Sequence, residues 1–171
     1  AAICPLVAGG VPVFADIDPV TFCLDPDSVQ DRITPRTRAI VVVHLFGWPA
    51  DMDRSMDLAR RPRLRVIEDC AQAPGGRYKG RELGTIGHIG GFSLNYHKTI
   101  HCGEGGVLVT NDENLALRLR LIRNHGEVAV EGLGLEKLGS IFGGNYRWTE
   151  LQAAIASAQL KKLEHLTQWR I

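Results

Sequence analysis

The segment RAIVVVHLF, residues 38–46, decides the fold class of this chain. It contains a continuous β-branched run, IVVV (40–43), which is typical of a strand that other elements cover on both faces. A second short apolar run, LRVIEDC (64–70), ends in acidic residues, and ADMDRSMDLARR (50–61), between the two, has the pattern of a helix. Strands that alternate with helices in this way predict an α/β fold with a mainly parallel sheet.

The rest of the chain continues this alternation. Asp25 as a cap and Pro26 at the first helical position predict a helix over 25–33. Asn111 is predicted to cap a second helix that ends at Gly126, and another helix is predicted to begin near Thr149. The other predicted strands are VPVFADID (11–18), GGFSLN (90–95) and GGVLVTN (105–111), and GRELGTIG (80–87) is predicted to be a connecting loop.

Composition excludes several classes of protein. The chain has 171 residues, of which 44% are apolar and 23% charged, as expected of a soluble globular protein. A net charge of +1 gives no strong attraction to nucleic acid or to an acidic membrane, and no apolar run is long enough to cross a bilayer. The four cysteines are widely spaced, which argues against a zinc site and a disulfide framework and favours the reducing cytoplasm. We expect no metal.

Both ends of the sequence have the pattern of interrupted elements. The chain has no initiator Met, and LTQWRI (166–171) lies inside a helical pattern. We therefore expect a segment of a longer protein.

Several chemically useful residues follow predicted strands. Because ligands bind beyond the carboxyl ends of parallel strands, His44, Asp69 and the turn at 93–98 are expected on one rim of the sheet. Asp69 is either a turn residue or a carboxylate that faces a cationic partner. Lys98 is either a surface lysine or one desolvated for imine formation, and Ser93 either serves the turn or contacts a phosphate. His44 is interpreted equally well as a packed side chain or as a contact to the site. The common nucleotide-binding motifs are missing.

The combination of these residues is more specific than any one of them. VIEDCAQAPGGRYKGRELGTIGHIGGFSLNYHK (66–98) resembles the central motif of the DegT/DnrJ/EryC1/StrS family of pyridoxal-phosphate-dependent sugar aminotransferases, and the flanking stretches are similar to the same family. The resemblance implies a three-layer α/β sandwich, the fold type I large domain of aspartate aminotransferase, incomplete at both ends. Residues 1–147 would belong to the cofactor-binding large domain, and 148–171 would begin the helix that leads to a small domain.

The resemblance also assigns roles to individual residues. Asp69 matches the carboxylate that pairs with the pyridine nitrogen of pyridoxal phosphate, Ala71 would lie against the ring, and Gln72 matches the side chain that contacts the phenolic oxygen. Ser93 matches a phosphate-binding serine, and Lys98 the catalytic Schiff-base lysine. A protonated ring nitrogen and a lysine that can act as a base are what this cofactor chemistry needs.

Asn145 resembles an asparagine that reaches the cofactor phosphate of a neighbouring subunit, which implies a homodimer with shared active sites. The implied activity is transfer of an amino group from glutamate or glutamine to a keto-sugar, most often nucleotide-linked. The alternatives are a keto-cyclitol aminotransferase, a cofactor-binding regulatory relative without turnover, and a plain α/β binding module.

Three features of the family are missing from this sequence. They are an upstream Gly-Thr phosphate-binding dipeptide, the aromatic residue that stacks on the ring, and the carboxy-terminal small domain. We therefore expect this segment alone to be inactive.

Overall fold

The fold is built on one mixed sheet of four strands. A computed structural model describes residues 1–61, 64–127 and 141–169. The sheet has the order β1 (Ala39–Val43), β2 (Arg65–Asp69), β5 (Ile89–Ser93) and β6 (Gly106–Val109). The first three strands are parallel and β6 is antiparallel to β5, which confirms the mainly parallel sheet. The short strands β3 (Arg77–Tyr78) and β4 (Arg81–Glu82) form a separate hairpin, so the predicted connecting loop 80–87 contains one short strand, β4.

Helices occupy the connections and the two ends of the chain. They are α1 (Ile3–Val7), α2 (Pro26–Arg32), α3 (Met52–Leu58), α4 (Glu113–Arg123), α5 (Glu150–Leu160) and α6 (Leu163–Gln168), with a 3₁₀ turn at Leu45–Gly47. The side chains of Asp25 and Thr149 accept backbone hydrogen bonds at the starts of α2 and α5, as predicted. Within the described part of the chain, no helix is both long and apolar enough to cross a membrane.

Two local predictions are wrong. Residues 11–16 form no strand, because Pro12 has no N–H to donate and the following chain folds on itself: Asp18 N bonds to Cys23 O at 2.8 Å. Only Ile17 makes a β-bridge in this segment, to Leu24. Helix α4 is capped by Asp112, whose carboxylate accepts from two backbone amides, and not by Asn111.

The main core lies on one face of the sheet. Ile40, Val42 and Val66 point to this face and are buried against Val29 of α2 and Met52 of α3. The alternate residues of β1 and β2 are only partly buried on the opposite face. The sequence predicted that β1 is covered on both faces. This prediction is confirmed for the core face and wrong for the opposite face.

The register of the strands brings their carboxyl ends to one rim. Val43 lies beside Asp69, and Asp69 lies beside Gly91. The hydrogen bonds continue one step further, since His44 N bonds to Asp69 O at 3.1 Å and Cys70 N bonds to Gly91 O at 2.8 Å. The turns that follow β1, β2 and β5 consequently begin at the same level.

Two glycines meet where the 84–87 segment crosses β5. A Cβ on Gly90 would collide with Gly84 O and Gly84 Cα, both backbone atoms that a side-chain rotation cannot move. A Cβ on the next residue, Gly91, would lie 3.4 Å from the Leu108 side chain, which is an ordinary contact.

We expect Gly90→Ala to destabilise the whole protein by about 3 kcal/mol, because the added methyl group forces backbone apart in a packed region. Urea denaturation followed by circular dichroism measures the change. Gly91→Ala is the matched control and should cost less than about 1 kcal/mol. Equal destabilisation by the two variants would contradict the close approach of Gly84 and Gly90.

Candidate active site

Five of the six predicted site residues lie at the rim formed by the carboxyl ends of the strands. Asp69 and Ser93 are the last residues of β2 and β5, and the turns that follow these strands contain Ala71, Gln72 and Lys98. Their arrangement follows from the parallel pairing of β2 with β5.

The sixth residue, Asn145, lies after α4 in an exposed segment. It forms a β-bridge with Asn124 at the end of that helix, and its side-chain oxygen accepts from Arg147 N at 3.5 Å. Among the described residues, no hydrogen bond joins Asn145 to the other five.

Asp69 presents one carboxylate oxygen to the rim. Its Oδ1 accepts a hydrogen bond from Ala71 N at 3.1 Å, which fixes the orientation of the carboxylate. The side chain is 25% exposed. A partly buried carboxylate of this kind provides a pairing site for a protonated nitrogen.

Gln72 presents a hydrogen-bond donor. Its Oε1 accepts from Phe46 N at 2.9 Å, so the carbonyl end of the amide is already bound and the NH₂ group remains to donate. Phe46 reaches this position with a left-handed backbone, at φ 54°, in the 3₁₀ turn after β1. Such a conformation is costly for a residue other than glycine and is concentrated at functional sites.

Ser93 and Lys98 are linked through the residue between them. The Ser93 hydroxyl oxygen accepts from Asn95 N at 3.3 Å, which leaves its O–H free to donate. Lys98 N donates to Asn95 O at 2.9 Å and forms a turn, in which the lysine is partly buried. The rim therefore offers a hydroxyl donor and an amine on one short segment.

A buried hydrogen-bond network lies directly behind this rim, and the sequence did not predict it. Glu68 precedes Asp69 on β2 and points to the opposite face, where its side chain is 0% exposed. Its Oε2 accepts from His44 Nε2 at 3.1 Å and from Gly84 N at 2.8 Å. Its Oε1 accepts from the backbone amides of Ile86 and Gly87. All four lone-pair positions of the carboxylate are consequently filled.

His44 completes the network and is itself fully buried. Its Nδ1 accepts from Ala50 N at 3.2 Å, so the ring proton resides on Nε2 and is donated to Glu68. Of the two interpretations of His44, a packed side chain or a contact to the site, the structure supports a buried structural role next to the rim. A signal in the sequence could have indicated this network: two consecutive acids on a buried strand must face opposite sides.

The charge state of Glu68 follows from these contacts. Burial is the largest influence and raises its pKa, but the hydrogen bonds from His44 and three backbone amides together outweigh burial. The pKa of Glu68 therefore lies below its ordinary value, and the buried carboxyl is ionised at neutral pH.

Cys70 lies close to the same network but has no reactive character. Its Sγ and the nearest ligand atoms of His44 and Glu68 all lie within 4.8 Å of one another. Burial, followed by the charges of Glu68 and Asp69, raises the pKa of the thiol to about 12. Since the thiol stays protonated and the Glu68 oxygens are already bonded, these three residues offer no free ligand set to a metal.

Comparisons with known proteins agree with the fold and the motifs. Residues 2–171 match the DegT/DnrJ/EryC1/StrS aminotransferase family, and the chain belongs to this family. It is 44% identical over 160 residues to L-glutamine:scyllo-inosose aminotransferase of Streptomyces griseus, covering 90% of this chain and 38% of that protein. It is 45% identical over 159 residues to GDP-perosamine synthase of Caulobacter vibrioides, covering 92% of this chain and 42% of that protein.

A solved structure of an aminotransferase from Psychrobacter cryohalolentis superposes with a TM-score of 0.85 at 42% identity, covering 96% of this chain and 44% of that one. The chain thus spans about two fifths of the length of these relatives. The family and its solved structures imply pyridoxal phosphate as the cofactor.

We expect Glu68→Gln to destabilise the whole protein by about 3 kcal/mol at pH 7, because the amide NH₂ would face backbone N–H groups that then lose their acceptor. The folded-state pKa of Glu68 is lowered, so its stabilisation is present above the ordinary value of 4.5 and is lost as the pH falls through the folded-state value. The difference from wild type should therefore shrink below about pH 4.5.

Urea denaturation between pH 3.5 and pH 7 tests this expectation. Glu82→Gln is the control, because Glu82 is exposed and pairs with Arg77 at the surface. A Glu68→Gln difference that stays constant over the whole pH range would show that the carboxylate is not the stabilising group.

Proposed function

We propose that this chain is the cofactor-binding core of a pyridoxal-phosphate-dependent aminotransferase that transfers an amino group from glutamate or glutamine to a nucleotide-linked keto-sugar. The observation that carries the proposal is a set of hydrogen-bonding groups on one rim. Asp69 offers an acceptor for a cation, Gln72 offers an NH₂ donor, and Ser93 offers an O–H donor beside Lys98.

These groups fit the polar atoms of the cofactor. Asp69 Oδ2 would pair with the protonated pyridine nitrogen, and the NH₂ of Gln72 would donate to the phenolic oxygen, which is an acceptor. Ser93 would donate to the phosphate. Ala71 would lie against the ring, where its small side chain leaves space for a flat ligand. The donors Gln72 and Ser93 would each face an acceptor oxygen of the cofactor, and the acceptor Asp69 would face a protonated nitrogen.

The protein's own residues would carry out three tasks. Bound pyridoxal phosphate would supply an electron sink. Asp69 would keep the ring nitrogen protonated, because a partly buried carboxylate raises the pKa of a cation beside it. Lys98 would hold the cofactor covalently and would also serve as the base that moves a proton at the reacting carbon. Gln72 and Ser93 would keep the ring in one orientation, which lowers the entropic cost of the reaction.

The proposed substrate class rests on the relatives. One of them is named GDP-perosamine synthase, and another is named L-glutamine:scyllo-inosose aminotransferase. A keto-sugar is our proposed acceptor, and a keto-cyclitol is the competing one.

The proposed enzyme is larger than the chain and is a homodimer. Residues 1–147 form part of the large domain, and 148–171 begin the connection to a small domain, which is supported by the share of the relatives that the chain covers. Asn145 would reach the cofactor phosphate of the neighbouring subunit, and its exposure in a segment beside α4 is compatible with that role.

We expect Lys98→Ala to abolish the visible absorbance band that wild type develops with pyridoxal phosphate and to lower kcat by about 10³-fold, because the variant loses both the covalent link and the base. The measurements are absorbance spectra of the whole protein and amino transfer from glutamine. Lys79→Ala is the control, since Lys79 is exposed and pairs with Asp53. Survival of the band and the activity in Lys98→Ala would refute the function.

An acceptor screen separates the proposed substrate from the alternatives. Nucleotide-linked keto-sugars and a keto-cyclitol are offered with glutamate or glutamine, and the amino product is detected by mass spectrometry. We expect turnover of a nucleotide-linked keto-sugar. Turnover of the keto-cyclitol alone would show that the acceptor is a keto-cyclitol and not a keto-sugar. A bound cofactor that no amino donor converts would indicate the regulatory alternative.

A further inference from the structure

The segment that carries Lys98 is a closed loop. We call residues 94–105 the lysine loop; it connects β5 to β6. Its base is closed by two backbone hydrogen bonds, Leu94 N to Gly105 O at 2.8 Å and Cys102 N to Leu94 O at 3.0 Å. The position of Lys98 relative to the sheet therefore depends on how this loop is held internally.

One residue near the base, Asn95, binds to both functional ends of the segment. Its backbone N donates to the Ser93 hydroxyl at 3.3 Å, and its backbone O accepts from Lys98 N at 2.9 Å. Its side-chain Oδ1 accepts from His97 N at 3.1 Å, and its Nδ2 donates to Glu104 Oε1 at 2.7 Å. Since Oδ1 already accepts a backbone N–H, the amide orientation is settled and the NH₂ group must face Glu104.

Glu104 is in turn anchored to α5. Its backbone oxygen accepts from Gln152 Nε2 at 3.1 Å, while the other end of that amide accepts from Thr149 in the helix cap. The next residue, Gly105, lies against the Trp148 indole so closely that a Cβ would come within 2.5 Å of Nε1. The acceptor of the Asn95 hydrogen bond is thus fixed by the start of a helix.

Apolar side chains of the lysine loop also pack against α5. Leu94, Ile100 and Cys102 are buried together with Ala156 of α5. One side of the lysine loop is consequently held by apolar contact with the helix, and the other by the hydrogen bonds of Asn95.

We propose that the hydrogen bond between Asn95 and Glu104 is a clasp that sets the position of Lys98 relative to Ser93. The inference rests on the proposed function, in which one residue binds the cofactor phosphate and the other its reactive carbon. Asn95 and Glu104 are positioning residues, since they act through the loop. A hydrogen bond from a side-chain amide to a carboxylate oxygen has the direction that this requires.

Substitutions between amide and carboxylate side chains can break and restore the hydrogen bond between Asn95 and Glu104 with minimal change of shape. Asn95→Asp keeps the oxygen that accepts from His97 N but places a second carboxylate against Glu104, so the clasp should open by repulsion. Glu104→Gln keeps an oxygen for the Asn95 NH₂ group. The double variant Asn95→Asp/Glu104→Gln reverses donor and acceptor and should close the clasp again.

Two measurements on the whole protein show whether the clasp holds the lysine loop in place. The first is the dissociation constant for pyridoxal phosphate, from titration of the visible band. The second is the hydrogen-exchange rate of the backbone amides of residues 96–101 without cofactor, by mass spectrometry. In Asn95→Asp we expect cofactor binding about tenfold weaker and exchange about tenfold faster, as the loss of one charge-assisted hydrogen bond implies. Glu104→Gln and the double variant should remain within about twofold of wild type.

Asn111→Asp provides the matched control, because it introduces the same charge in an exposed residue beyond the far end of β6. An Asn95→Asp variant that behaves like this control would overturn the clasp, and so would a double variant as impaired as Asn95→Asp. If wild type fails to bind pyridoxal phosphate, the proposed function falls, while the exchange rates still decide whether the clasp exists.

Discussion

The structure depends on the buried carboxylate of Glu68. It accepts hydrogen bonds from His44 at the end of β1 and from three amides of the segment 84–87, so one side chain joins two neighbouring strands and the chain that leads into β5. A buried charge is costly unless every lone pair is used, and here all four are. Removing any donor would therefore loosen several elements together.

The functional rim is a consequence of this arrangement. Asp69 follows Glu68 on the same strand, so fixing one acid inside the core fixes the other on the opposite face. Gly84 and Gly90 must meet without side chains for the 84–87 amides to reach Glu68, and Gly90 begins the part of β5 that ends at Ser93. The acceptor, the donors and the lysine of the candidate site are thus positioned by interactions behind it, as a preorganised site requires.

Much of this could be predicted from the sequence, because the signals are local. The β-branched run predicted β1, and the apolar run after it predicted β2. Asp25–Pro26 and Thr149 marked helix starts by cap chemistry that involves only neighbouring residues. The grouping of Asp69, Gln72, Ser93 and Lys98 came from the resemblance to a family, and the parallel register puts these residues on one rim. Adjacent polar residues such as Asn111 and Asp112 are equivalent in pattern, and only the backbone angles select the cap.

The errors and omissions share a physical cause. The alternation in 11–18 is strand-like, but Pro12 and the turn around Asp18 determine the backbone. The partners of Glu68 lie 16 to 24 residues away in sequence, and the hydrogen bond from Asn95 to Glu104 crosses a loop. Pairings across such separations depend on how the strands are ordered, which periodicity does not reveal.

The most direct test of the account is to identify the lysine that bonds to the cofactor. The whole protein is loaded with pyridoxal phosphate, reduced with borohydride and digested, and the modified peptide is sequenced by mass spectrometry. The account predicts a single modified residue, Lys98, in the peptide that follows Ser93. Modification of another lysine, such as Lys79, or no covalent modification at all would contradict it.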